Sequence, residues 1–445
     1  MGMRRRWAVT LAAGLSVGGA GARATTYYVD SAGSDRAAGN LAAPWRTVQQ
    51  AANVAGAGDT VYLRGGTYSG RVNVMHSGLA GQPLSFQAYP GESVTLDAGG
   101  HGTVFNTNGR NYLQISGLAV QNTGNSGQGI LVDDSQHVTV THCATSNTYD
   151  SGIMVRNSSY VDVLHNDIHG ACRGGEETLS IKISSYVNAG YNTIHDTGHE
   201  GIDVKEGAQH VQVYNNTLWN VERQALYTDA WNRPTADIQF YNNVMHDCLF
   251  GVSIGSETGG QLSNVRVYNN VIYDMPGPGL SVQDWGDAAS AHPIADVVLT
   301  NNTVYNVGNQ WGGAVLLENS EAAGVTVRNN VFAAVAYPVQ TSHAPSDLVI
   351  DHNLIESARG VQPGWGTIGS ATFADLAARD LRLMAGSLGV DAGSSEGVPL
   401  LDALGVARPQ GLGIDIGAYE FTPVPEPATL ALLAAGAGLR IRRRR

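Results

Sequence analysis

Short segments in which apolar residues alternate with variable ones recur along this chain, each bounded by glycine, asparagine or aspartate. They read GILVDD from Gly129, GIMVRN from Gly152, TLSIKI from Thr178, GIDVKE from Gly201, ALYTDA from Ala225, GVSIGS from Gly251 and GLSVQD from Gly279. The apolar pairs include Ile130 and Val132, Ile153 and Val155, Ile202 and Val204, and Val252 and Ile254. Period-two alternation over β-branched residues predicts strands with one buried face. A second segment recurs inside each copy: VLHNDIHG, YNTIHD, VYNNTLWN, FYNNVMHD, VYNNVIYD, LTNNTVYN and VRNNVF. Its aligned asparagines, Asn166, Asn192, Asn216, Asn243, Asn270, Asn302 and Asn330, fall 24 to 32 residues apart. Amides in such a ladder can bond from one repeat to the next while the backbone turns sharply. A fixed period of this length predicts stacked coils. Several short strands per coil and no helical periodicity make the fold class all-β, a right-handed parallel β-helix.

Such a solenoid needs covered ends, because an open coil exposes unpaired backbone. The opening TTYYVDSAGSD with APWRTVQQA predicts an N-terminal cap containing a short helix over residues 47 to 55, and GLGIDIGAYEF closes the other end. The divisions read from the chain are a signal peptide at 1–24, the β-helix with its N-terminal cap at 25–360, a C-terminal cap at 361–421 and a sorting segment at 422–445. This architecture matches the secreted right-handed parallel β-helix repeat proteins.

Composition narrows the class. A chain 43% hydrophobic and 14% charged has material for a long packed core. A net charge of −12 argues against nucleic acid as a partner and leaves room for an acidic polymer gripped by a local basic strip. Cys143, Cys172 and Cys248 read as small buried apolar residues rather than a disulfide set. Arg4 to Arg6, an apolar stretch, then Ala22 and Ala24 follow the order of a secretory signal. At the other end Pro425, Glu426 and Pro427 precede an apolar run from Ala428 to Leu439 and an arginine tail. That run is shorter than the roughly 20 residues of a stable span, and the arginines mark the cytoplasmic side. The segment resembles the PEP-CTERM sorting signal of Gram-negative bacteria. The resemblance implies an exosortase-type processing partner, transient membrane association, and export through the inner membrane to the cell surface or exopolysaccharide matrix.

Aligning the repeats makes a column of Arg156, Lys182, Lys205 and Asp229, a second of Ser180, Asp203 and Tyr227, and sets Glu177 beside Glu200. Elsewhere these columns hold neutral residues such as Met154, Ser253, Gly255 and Gln283. Neighbouring strands lie about 4.8 Å apart, so Lys182 and Lys205 would be crowded, which predicts a lowered pKa and a neutral amine able to act as a base. Arg223 and Arg233 flank the patch, while Trp231 and Trp285 fall at matching turns and offer faces for sugars. His169, His195 and His246 share a position with Trp219, Tyr273 and Tyr305, and a stacked planar column accounts for all six without a metal.

Clustered lysines and carboxylates suit β-elimination in a uronic-acid polymer, where a base removes the proton beside the sugar carboxylate and cations balance the charge that forms. The segment EETLSIKISS is similar to a stretch of the chondroitinase B and alginate lyase family of β-helix polysaccharide lyases, in which an acidic calcium ligand lies five residues before the lysine base. The resemblance implies Glu177 as ligand and Lys182 as base, and GHEGIDVKEG repeats the spacing with Glu200 and Lys205. The resulting expectation is a monomeric exported polysaccharide lyase acting on an acidic polysaccharide. Lys182, Lys205 and Tyr227 are its catalytic set; Arg156, Arg223, Asp229, Trp231 and Arg233 bind substrate; Glu177, Glu200 and Asp203 hold Ca2+ or orient the lysines. A glycoside hydrolase using Asp203 and Asp229, and a noncatalytic matrix protein that binds polysaccharide, stand as alternatives.

Overall fold

The structure, a computed structural model, describes residues 24–286 and 289–422. Residues 1–23 and 423–445, which carry the predicted export and sorting signals, lie outside the described residues. Among the described residues no helix is long and apolar enough to cross a membrane.

One coil shows how the sequence makes the fold. Ile202–Lys205 forms a strand of the first wall, Gln209–Tyr214 a strand of the second and Thr217–Val221 a strand of the third, and Gln224–Asp229 then returns to the first wall one level along. Repetition builds parallel walls of 11, 13 and 13 strands in which each strand pairs with its counterparts in the adjacent coils. Ile202, Val204, Val211, Val213 and Leu218 all point inward and are fully buried. Alternation therefore fills a continuous core from Val29 to Ile355, each buried aliphatic side chain contributing about 1.5–3 kcal/mol against conformational entropy.

The corner between the second and third walls is sharp. The residue before each ladder asparagine adopts a left-handed backbone, as at Asn215 (φ 53), Asn242 (φ 56) and Asn269 (φ 56), a conformation asparagine tolerates. The ladder asparagine then turns inward: Asn192 donates to Val163 O at 2.9 Å and to Asn216 Oδ1 at 3.0 Å, and Asn216 repeats both bonds with Ala189 O and Asn243 Oδ1. The ladder begins where Cys143 N meets Asn166 Oδ1 and extends one step beyond the sequence expectation, to Asn353. All three cysteines are buried and free.

The short helix Val48–Val54 is capped by Thr47, whose hydroxyl accepts from Gln50 N, and buries Val48, Ala51 and Ala52. At the far end the parallel ladder continues through Gly366–Ile368. The following segment forms a two-stranded antiparallel sheet, Phe373–Asp375 with Asp380–Leu383, and much of it lies along the flank of the rod rather than across its end. It is fastened there by Arg379 to Asp274 at 2.7 Å, Asn329 to Ser394 O at 2.8 Å and Asn269 to Leu401 O at 2.8 Å. Inside it Arg408 and Glu420 pair at 2.5 Å with no exposed side-chain surface.

Candidate active site

Strand pairing on the first wall sets Arg156 against Lys182, Lys182 against Lys205, Ser180 against Asp203 and Asp203 against Tyr227. Ile181 and Val204 alternate with these residues and are buried in the core, which turns the polar set outward. Registration thus brings Glu177, Ser180, Lys182, Glu200, Asp203, Lys205, Tyr227 and Asp229 together on consecutive strands of one wall and the turn that leads into it.

Each ammonium group has a carboxylate of its own. Lys182 Nζ donates to Glu176 Oε1 at 3.1 Å; Lys205 Nζ meets Glu177 Oε1 at 2.5 Å, with Asp203 Oδ2 at 3.6 Å and Glu176 Oε2 at 4.0 Å. Ser180 Oγ donates to the other oxygen of Glu177 at 2.9 Å. The expectation that crowded lysines become less basic fails at Lys205. Burial alone would depress its pKa, but the charges of Asp203 and Glu177 together outweigh burial and raise it, so this amine stays protonated.

The carboxylates carry the opposite strain. Asp203 is 1% exposed, and burial, reinforced by Asp229, Glu177 and Glu200, holds its pKa well above the ordinary range against the pull of Lys205. Its Oδ1 is buried without a partner. Burial and the charge of Glu257 push Asp229 up to about 8, although its Oδ1 accepts from Trp231 N at 2.8 Å. Tyr227 is held above its ordinary pKa by burial and by Asp229, and its hydroxyl donates to Glu257 Oε1 at 2.7 Å. Asp150 is likewise raised, by burial first and Glu176 second.

Glu200, Arg223, Tyr227, Phe250, Glu257 and Trp285 line a cavity of about 350 Å³ beside this cluster. Arg223 reaches Glu200 Oε1 at 3.2 Å and keeps half its side chain in solvent. Phe250 meets Trp285 edge-on, with ring centres 6.1 Å apart. Gly255 is needed here, because a Cβ at that position would lie 2.8 Å from the Tyr227 hydroxyl and 3.0 Å from Trp285. Trp231 and Arg233 stand exposed in the turn after Asp229. Arg156 is committed within the wall, gripping Asp133 through two bonds of 2.8 Å. Asp203 and Asp229, the pair a hydrolase would need, are almost wholly buried.

Sequence reading missed Asp150, Phe250 and Glu257 as members of this neighbourhood. Glu257 and Asp150 come from turns outside the aligned hexapeptides, so no column marks them; Phe250 opens its strand just ahead of GVSIGS.

As a calcium site the cluster supplies hard oxygen donors, but Glu177, Glu200 and Asp203 do not bring one ligating oxygen each within 4.8 Å of one another in this arrangement. Lys205 Nζ stands between Glu177 and Asp203, where a bound cation would have to sit.

The histidine column is stacked. His169, His195, Trp219, His246 and Tyr273 follow one another with centroids 5.0, 4.5, 6.1 and 4.9 Å apart and planes within 10°. Asp167, His169 and His195 bring ligating atoms within 4.8 Å of one another, yet both ring nitrogens of His195 are taken, by Asp196 at 2.7 Å and Asp167 at 3.2 Å.

Three families match this chain. A Pel9A-like right-handed β-helix region matches residues 27–222, a right-handed β-helix region matches 231–355, and the PEP-CTERM protein-sorting motif matches 423–445. An uncharacterised protein of Bacillus subtilis, YwoF, is 24% identical over 360 residues, covering 69% of this chain and 74% of that one. Pectate lyase PEL9 of Emericella nidulans is 46% identical over 76 residues, which is 17% of this chain and 18% of that one. Among solved structures, pectate lyase Pel9A superposes with a TM-score of 0.57 at 17% identity, covering 89% of this chain and 96% of that one. XylC in complex with xylose gives 0.62 at 11% identity, covering 89% and 98%. A family 28 exopolygalacturonase of Yersinia enterocolitica gives 0.52 at 16% identity, covering 68% and 74%. These likenesses establish the fold, which lyases and hydrolases share.

Proposed function

We propose that this chain, a Pel9A-like right-handed β-helix protein bearing a PEP-CTERM sorting motif, is an exported lyase that cleaves a uronic-acid polysaccharide by β-elimination. The observation that carries the reading is the outward row on the first wall in which Lys182 and Lys205 are each held by a glutamate and Tyr227, one strand on from Lys205, lines an aromatic cavity. A polyuronate laid along that row would meet the Lys205 cation at a carboxylate. Arg223, half exposed at the cavity mouth, adds another.

In the proposed reaction Lys182 acts as the base in its unprotonated form and takes the C5 proton. The C5–H electron pair becomes the C4=C5 double bond, and the C4–O bond breaks. The departing oxygen is protonated from Tyr227 or from water in the cavity. Lys205, kept positive by Glu177 and Asp203, balances the charge that builds on the sugar carboxylate as the proton leaves. Were calcium bound, Glu177, Glu200 and Asp203 would have to close around it in place of the Lys205 ammonium, and it would supply the same neutralisation. The β-helix families matched by the chain make polygalacturonate the first substrate to try, with alginate and chondroitin beside it.

Incubation with each polymer, followed in the ultraviolet for the unsaturated uronate, tests the proposal. At least one polymer should give product, and Lys182→Ala should lower the rate by about 10²–10⁴-fold. New reducing ends without ultraviolet absorbance would instead identify a hydrolase, and unchanged polymer length with retained binding would identify a matrix protein.

A further inference from the structure

The second wall carries a surface that the proposed reaction does not use. Its outward row runs Thr139, Asp162, Asn188, Gln212 and Gln239, paired strand to strand along the rod. These residues floor a groove of about 650 Å³. Along one rim His137, Tyr160, Tyr186 and His210 stack with centroids 4.9, 4.9 and 4.7 Å apart. At the other edge of the same strands His142, His165 and Tyr191 stack at 5.1 and 4.8 Å. Tyr160, Tyr186 and Tyr191 each keep nearly half of their surface in water.

The turn itself does not ask for these rings. Every one of the seven rim residues has a left-handed backbone, with φ between 53° and 57°, a conformation that bulky side chains rarely take. In later coils the equivalent positions hold Asp237, Asn264, Asp296 and Gly324 on the first rim and Asn215, Asn242 and Asn269 on the second, the small residues such a turn favours. Aromatic residues replace them at both edges of this wall over the coils that form the groove, and outside it at Tyr112 and His352. Ring stacking between coils helps to hold them in place, but coils without it are built equally well by asparagine and aspartate.

The floor is set up to hydrogen-bond. Gln212 Oε1 accepts from the Tyr241 hydroxyl at 3.0 Å and Gln239 Oε1 from the Tyr268 hydroxyl at 3.1 Å, which fixes each amide and leaves its NH2 as the donor. Asn188 Nδ2 is fixed on Asp162 Oδ1 at 2.8 Å. Donors and acceptors therefore repeat once per coil, about every 4.8 Å, along a straight channel. A polymer of hydroxyl groups lying parallel to the rod fits that pattern. Because the rim rings cover one another's faces, they would meet it with their edges and with the tyrosine hydroxyls. Charge decides which polymer. Asp162 and Asp237 line the groove, none of its lining residues is a lysine or arginine, and His210 is already paired with Asp237 at 3.0 Å. A polyuronate would be repelled here, in contrast to the lysine row on the first wall.

We infer that this groove is a second, noncatalytic polysaccharide-binding site that takes an uncharged glycan. Electrophoresis of the full secreted protein through gels containing hydroxyethylcellulose, galactomannan, dextran or polygalacturonate tests it. At least one neutral polymer should retard the protein. Gln212→Ala/Gln239→Ala, which alters only outward side chains, should weaken that retardation about tenfold, as expected for two lost hydrogen bonds. Tyr160→Ala/Tyr186→Ala should weaken it too, with a thermal melt to confirm folding, whereas Lys182→Ala should leave it unchanged. Retardation by none of the neutral polymers would overturn the inference. So would full retention by the glutamine variant, or binding of polygalacturonate that the glutamine variant loses and Lys182→Ala keeps. Production of unsaturated uronate is read separately, so failure of the lyase proposal leaves this result legible.

Discussion

Replacing Lys205 by methionine keeps the length of the side chain and removes its charge. In the native arrangement that charge lies 2.5 Å from Glu177 and 3.6 Å from Asp203, with only 12% of its side chain exposed. Deleting one partner of a buried ion pair costs about 3–5 kcal/mol, because the remaining charge is left without compensation. The cost should depend on pH, and its sign follows from the groups involved. The folded-state pKa of Lys205 is raised, so its contribution is complete below its unfolded value and is lost only in strong alkali, well above the working range. Asp203 is also raised, so the folded state holds a proton that the unfolded state gives up; stability from this source is present in acid and lost as pH rises through the folded value. Without Lys205 that value climbs further. Urea unfolding of Lys205→Met should therefore show a loss of about 3 kcal/mol or more at pH 8 and a clearly smaller one at pH 5, where Asp203 and Asp229 hold protons. An equal loss at both pH values, or one below about 1 kcal/mol at pH 8, would refute the claim that this lysine is the resident counterion of the cluster.

Other outcomes follow from the same coordinates. Asp229 sits near 8, so its protonation favours the fold in acid and that benefit disappears as pH rises through about 8; Asp229→Asn should flatten the decline in melting temperature between pH 6 and pH 9. Asn216→Ala removes two donated and two accepted side-chain hydrogen bonds, with Ala189, Asn243 and Asn192. At about 1 kcal/mol each this costs about 4 kcal/mol, and the Asn192 amide should lose protection in hydrogen exchange.

The walls of the rod were legible in the sequence because their cause is periodic. Ile202 and Val204 are buried for the same reason as Ile153 and Val155, and a reader of one repeat has read them all. Strand register was legible for that reason too, and with it the adjacency of Lys182 and Lys205. What the period does not encode is how side chains turn once they are adjacent. Glu176 takes a left-handed backbone (φ 57), and from that bend two consecutive glutamates reach two different lysines. The protonation of Lys205 depends on that detail and ran against the sequence expectation. Glu257 was invisible because it belongs to a turn, where the chain departs from its repeat. The ladder step at Asn353, preceded by His352 as Asn166 is by His165, lies beyond the last repeat that the sequence reading aligned.

Because the coils around the lysine row pair only with the one before and the one after, that stretch of the rod behaves as a ruler whose marks are independent of its length. A whole coil inserted before Ile130 would shift everything past the cut by one level and leave the lysine row and its glutamates at their mutual distances. A loss of even a few residues within a coil would instead rotate the chain against its own stack and scatter that row across different walls.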